Sequence, residues 1–111
     1  MNLLTVPFEP PAAELPPASA ALLADAAERI ADYLNAGRGQ GPAAFVPADF
    51  PRVYTGLAAV YETGLVPGDR FCEWGSGFGV VAGLATQVGF EACGIEIERD
   101  LVEQAEALVT D

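Results

Sequence analysis

The sequence predicts an α/β protein that begins a parallel sheet: two helices behind a proline-rich arm, then strand, helix, strand and helix, with the sheet left incomplete. Three observations carry this expectation. A short strand-like run, residues 70–74, ends directly in the glycine cluster Gly75-Ser76-Gly77-Phe78-Gly79. A second strand-like run, residues 91–96, follows a segment of helix length, and such a crossover makes the two strands parallel. Helical periodicity then returns over residues 99–109.

Each element has a local cause. Residues 1–17 hold five of the nine prolines (Pro7, Pro10, Pro11, Pro16 and Pro17), which fix φ and remove backbone donors, so this stretch reads as an extended arm. From Ser19 to about Asn35, Leu22, Leu23, Ala26, Ala27, Ile30, Tyr33 and Leu34 share one helical face, with Ser19 as the expected N-cap and Gly37 just past the end. Residues 37–48, with their Gly-Arg-Gly-Gln-Gly-Pro core, read as a flexible loop. A second helix follows Asp49 and Pro51 and runs to Thr63 before Gly64, with Leu57, Val60 and Tyr61 as its buried stripe. Val66-Pro67-Gly68-Asp69 is a turn into the first strand. Residues 80–88 form the crossover helix, stopped by Gly89, and the last helix is expected to bury Leu101, Val102, Ala105, Leu108 and Val109.

Composition removes several functions. The 111 residues carry 16 acidic and 5 basic side chains and no histidine, for a formal net charge of −11. Such a surface repels phosphate backbones, and no basic run interleaves with aromatics, so direct binding to nucleic acid or an anionic membrane by this stretch is not expected. Without histidine, and with only Cys72 and Cys93 as thiols, a structural zinc site and a Ser-His-Asp triad both drop out. No basic segment precedes the first apolar residues and no apolar run has the length of a bilayer span, so a cytoplasmic location is expected. In that setting both cysteines, each in an apolar run, are expected to be reduced and to act as small hydrophobes.

The chemistry is concentrated at the ends of the two strands. A strand turning sharply into a helix needs glycine where φ is positive or where a ligand approaches the backbone. The helix start at Gly79 and Val80 is expected to offer unpaired N–H groups to an anionic part of that ligand. Glu96 closes the second strand 21 positions after Gly75, where an acid can accept hydrogen bonds from both ribose hydroxyls. The spacing Gly-x-Gly-x-Gly departs from the dinucleotide fingerprint, because Val80 stands where its third small residue belongs. Glu73, two residues before the first glycine, would repel a pyrophosphate and favour a cation. The absence of lysine excludes a Walker-type phosphate loop. S-adenosyl-L-methionine suits these constraints: it carries a sulfonium, an ammonium, one carboxylate and a ribose.

These residues resemble the first motif of the Rossmann-like (class I) S-adenosylmethionine-dependent methyltransferase family, an acid, a hydrophobic residue and Gly-x-Gly-x-Gly, in Glu73-Trp74-Gly75-Ser76-Gly77-Phe78-Gly79. The family's second-strand acid is matched by Glu96 in Gly94-Ile95-Glu96-Ile97. The resemblance covers about residues 69–109 and implies a methyltransferase cofactor site made by Glu73, Trp74, Gly75, Ser76, Gly77, Gly79, Glu96 and Ile97. By it, Glu73 helps hold the methionine amino end, Gly75 and Gly77 line the methionine and ribose, Glu96 binds the ribose hydroxyls and Ile97 packs near adenine. With the proline-rich arm (1–17) and a helical N-terminal segment (18–66) ahead of it, the stretch 67–111 is then expected to be the first half of an S-adenosylmethionine-binding domain. The later strands of that family are lacking, so the expectation is an N-terminal fragment of a methyltransferase, inactive alone, or a chain whose sheet a partner completes. The methyl acceptor and the catalytic residues are not indicated.

Other readings remain open at this stage. The glycine cluster alone is compatible with an ordinary strand-to-helix turn, although matched acids at both strand ends are then unexplained. Trp74 and Phe78 either flank a ligand or pack against a helix. Tyr54 and Tyr61 read as core or surface residues, and Glu98, Asp100, Glu103 and Glu106 as a solvated helix face. A non-catalytic nucleotide-binding or interaction module, completed by strand addition from a partner chain, is the main alternative function. An NAD-dependent oxidoreductase is disfavoured by Val80 and Glu73.

Overall fold

The computed structural model describes residues 14–39 and 45–110. The proline-rich arm up to residue 13 and the glycine-rich centre of the long loop, residues 40–44, lie outside them. The elements are α1 (Pro17–Asn35), α2 (Phe50–Thr63), β1 (Arg70–Trp74), α3 (Val80–Val88), β2 (Glu91–Ile95) and α4 (Arg99–Thr110). Among the described residues the protein is thus a mixed α/β structure of four helices and a two-stranded parallel sheet, in which Arg70 pairs with Glu91, Cys72 with Cys93 and Trp74 with Ile95.

The crossover helix is the hub. Short and apolar, α3 touches both strands and packs against α1 and α2. Its Val80, Leu84 and Ala85 are all but inaccessible to solvent, and around them gather Ala26, Ile30 and Tyr33 of α1, Tyr54 and Ala58 of α2, Phe78, and Leu101 and Leu108 of α4. Burial of a side chain such as Leu84 contributes about 1.5–3 kcal/mol, which makes this cluster the main source of stability. Arg38 ties the loop after α1 to the first turn of α4 through Asp100, and its guanidinium lies 4.7 Å from the Tyr33 ring centroid.

Helix boundaries follow their punctuation, with one correction at the first. Asp49 caps α2 by accepting from the Arg52 N–H, and Gly64 closes it in the left-handed conformation. The helix α1 begins two residues before Ser19, with Pro17 in its first turn and no side-chain cap, because proline there is pre-set in φ and lacks a donor to satisfy. Ser19 is instead buried and donates to Gln87 Oε1 at 2.6 Å, joining α1 to α3.

The buried faces also differ in detail from the periodicity. On α2 the buried residues are Tyr54, Ala58 and Ala59, while Leu57 and Val60 are half-buried and Tyr61 is exposed. Tyr61 leans over Gly89 and meets Phe90 edge-on at 5.1 Å, away from the α2–α3 seam. Val109 is exposed at the end of α4, as are Ala27 and Leu34 on α1, because the faces they occupy run past the elements they pack on.

Among the described residues, the sheet is covered on one side only. Phe71, Glu73 and Ala92 are half-buried beneath the helices, whereas the alternate residues Arg70, Cys72, Trp74, Glu91, Cys93 and Ile95 are all exposed. Cys72 and Cys93 are therefore free exposed thiols and not small hydrophobes of the core: alternation placed them on the face that no helix covers. No helix among the described residues is long and apolar enough to cross a membrane.

Candidate functional site

The carboxyl end of β1 and the end of β2 meet at the glycine loop. The loop folds back over β2 through two backbone bonds, from the N–H groups of Gly75 and Ser76 to the Ile95 carbonyl, at 2.7 and 3.0 Å. Ser76 is pressed so close to β2 that a Cβ on Gly94 would stand 2.5 Å from its Cβ, which explains a glycine inside the strand. Gly75 and Gly77 both have positive φ, +69° and +54°. They differ in their surroundings: a Cβ on Gly75 meets nothing within 4 Å, whereas one on Gly77 would reach 2.7 Å from the Phe45 ring.

Glu96 holds this loop. The strand stops at Ile95, one residue short of the expected end, and the Glu96 carboxylate accepts from the N–H groups of Gly77 (2.8 Å), Ile97 (2.8 Å) and Glu98 (3.0 Å). The Glu98 N–H is the main cause holding its pKa below the ordinary carboxylate value; slight burial opposes this, and the Gly77 and Ile97 amides add to it. Three of roughly four acceptor positions on the carboxylate are used in this way. About one remains for a ligand, rather than the two that recognition of both ribose hydroxyls was expected to use.

Glu73 is the opposite case. Its Oε2 is buried with no hydrogen-bond partner among the described residues. Burial raises its pKa above the ordinary value, the Ala82 backbone N–H at the start of α3 pulls the other way, and the negative Glu96 adds a smaller upward push. A carboxylate kept in this state is stabilised by a cation placed beside it. It lies in a small cavity of about 60 Å³ with Gly75, Ser76 and Phe78, roofed by Phe45, Val46, Pro47, Ala48 and Phe50. No arginine is among the described residues lining that cavity.

On the other side of the loop, Ser76, Gly77, Gly79 and Glu96 line the upper end of a groove of about 410 Å³. This groove continues down between α3, β2 and α4 past Thr86 and Val102, along Ala92, Cys93 and Gly94 of β2. The glycine loop therefore divides two spaces, one holding Glu73 and one holding Glu96.

The remaining expected site residues lie apart. Trp74, 85% exposed, stands on the bare face of the sheet, and Ile97 is 91% exposed; neither lines the two spaces. Phe78 is buried between Tyr33 and Phe45, with ring centroids 5.4 and 5.2 Å away, and serves the core rather than a ligand. The Gly79 N–H is not free, since it donates to the Ser76 carbonyl at 2.7 Å and so closes the turn. Residues 45–48, part of the loop expected to be flexible, pack over Glu73, and the Phe45 ring lies against Gly77. The signal for them was present in the apolar run Phe45-Val46-Pro47, which is unusual within a glycine-rich loop.

The residues present fit S-adenosylmethionine at three points: an unpartnered buried oxygen on Glu73 for an ammonium, open space above Gly75, and one acceptor position left on Glu96. Comparison with known proteins adds no family to this geometry, because no family model, curated protein or solved structure matches the chain.

Proposed function

We propose that this chain carries the cofactor-binding opening of an S-adenosylmethionine-dependent methyltransferase, built as the first βαβα unit of a Rossmann-like parallel sheet. The observation that supports it most is the pairing of two acids across one glycine loop: Glu73 with a buried oxygen lacking a partner, and Glu96 clamped to the Gly77 N–H at the end of the parallel neighbour strand. When bound, the cofactor supplies an electrophilic methyl group on a sulfonium. Glu73 binds its ammonium and rejects pyrophosphate, Gly75 leaves the approach clear, and Glu96 accepts from the ribose while keeping the loop in place. Methyl transfer to an incoming nucleophile depends chiefly on positioning, so this unit contributes orientation of the donor and not an acid or base for the acceptor. The strand edges left unpaired among the described residues suit a sheet that further strands complete.

Equilibrium dialysis against S-adenosylmethionine, NAD and ATP tests this reading. Selective retention of S-adenosylmethionine is expected; retention of NAD with none of S-adenosylmethionine would refute it. A second reading, an interaction module whose sheet a partner chain completes, is favoured by the same unpaired strand edges. It predicts a stable dimer or hetero-complex by light scattering, and a folded monomer that binds S-adenosylmethionine decides against it.

A further inference from the structure

The uncovered face of the sheet carries a second constellation, which the cofactor site does not use. Three rows cross it in register: Arg70 beside Glu91, Cys72 beside Cys93, and Trp74 beside Ile95, all exposed. The two thiols are thus direct neighbours on adjacent parallel strands, pointing the same way.

Adjacent strands lie about 4.8 Å apart, and side chains leaving one face of a parallel pair run side by side, so the Cβ atoms keep about that separation. Unstrained disulfides need Cβ atoms about 3.5–4.5 Å apart, and a sulfur–sulfur bond of about 2.05 Å would draw these strands together. An ion seated between two sulfurs at about 2.3 Å from each spans the strand spacing without strain. The spacing therefore favours an ion bridge over a disulfide. Soft thiolates select soft metals. The chain has no histidine, and among the described residues no group of three or more His, Cys, Asp or Glu side chains is placed to hold a metal, which removes the tetrahedral set that zinc demands.

We propose that Cys72 and Cys93 form a two-thiolate site for a soft, two-coordinate monovalent cation of the Cu(I) class. Binding breaks two S–H bonds, forms two metal–sulfur bonds and releases two protons to solvent, with no change of oxidation state. Two residues along β1 on the same exposed face, Trp74, the one tryptophan of the chain, stands beside the pair as a reporter.

The test is an anaerobic titration of the reduced 111-residue chain with Cu(I), in competition with a chromophoric Cu(I) chelator, followed by Trp74 fluorescence. The expected result is one ion per chain, quenching of Trp74, and release of close to two protons per ion at pH 7. Cys72→Ser and Cys93→Ser are each expected to lower affinity about 100-fold or more, since either change leaves a single thiolate. Two independent ions per chain, or a single-serine variant with the affinity of the parent, would overturn the proposal. Phenylarsine oxide, which bridges only neighbouring thiols, gives a measurement that needs no variant. One arsenical adduct per chain, seen by mass spectrometry and lost after prior copper loading, supports the site. Alkylation of both cysteines without any arsenical bridge refutes it.

Discussion

Replacing Glu73 by glutamine separates stability from binding. In the parent, Oε2 is buried without a partner and the ionised form is disfavoured by burial. An unsatisfied buried polar group costs about 1–3 kcal/mol and more when it is charged, and the share due to the charge is what glutamine removes. Because the side chain is only half-buried, solvent screens part of this, and the low end, about 1 kcal/mol, is the appropriate figure. Glutamine keeps the shape and removes the charge, so the variant should be more stable at neutral pH, with Tm higher by about 4–8 °C for a domain of this size. The pH dependence has a definite sign. A folded pKa above the ordinary 4.5 means that the parent loses stability as pH rises from 4.5 through the raised value, so the advantage of the variant is full above that value and vanishes towards pH 4.5. Affinity for S-adenosylmethionine should move the other way and fall about tenfold or more, because a hydrogen bond to a charged group contributes about 1.5–3 kcal/mol. Thermal unfolding at several pH values, paired with calorimetric titration, reads both quantities. A variant less stable than the parent at pH 7 would refute the account of Glu73 as a buried, unpartnered acid.

Three further outcomes follow from the same structure. Gly77→Ala places a Cβ at positive φ and against the Phe45 ring, so urea unfolding should show a loss of about 2–5 kcal/mol, while Gly75→Ala, with open space around it, should lose only the backbone share of about 1–2 kcal/mol. Glu96 has a folded pKa below its ordinary 4.5, so its contribution to stability is present above pH 4.5 and is lost as pH falls through the depressed value; Glu96→Gln should flatten that acid limb of the unfolding midpoint. Leu84→Ala, at the fully buried centre of α3, should cost about 2–5 kcal/mol by chemical denaturation, whereas Val109→Ala on the exposed end of α4 should change stability by less than about 0.5 kcal/mol.

Much of the chain from residue 49 onward was legible because its boundaries are punctuated by residues with strong local preferences. Asp49, Gly64, Gly79 and Gly89 each end or begin a helix where the sequence places them. Burial was harder to read. Periodicity says that Cys72 and Trp74 share a face, but only the placement of the helices decides that this face is the bare one. Ser19 was misread because its local role as a cap competes with a contact to Gln87, 68 positions away, which no local pattern encodes. The roof over Glu73 was hidden for the same reason: Phe45 to Phe50 reach the site only through the fold. At the site itself, the two acids and the glycines could be named from spacing. The sharing of Glu96 among three amides could not, since it depends on the backbone turning at residues 96–98.

Amide chemical-shift mapping of the isotope-labelled chain during titration with S-adenosylmethionine tests most directly whether the glycine loop between Glu73 and Glu96 binds it. Saturable shifts are expected at Gly75, Ser76, Gly77, Ile97 and Glu98, with the amides of α1 unaffected. An unchanged spectrum at millimolar cofactor, or shifts confined to residues away from the loop, would contradict that binding.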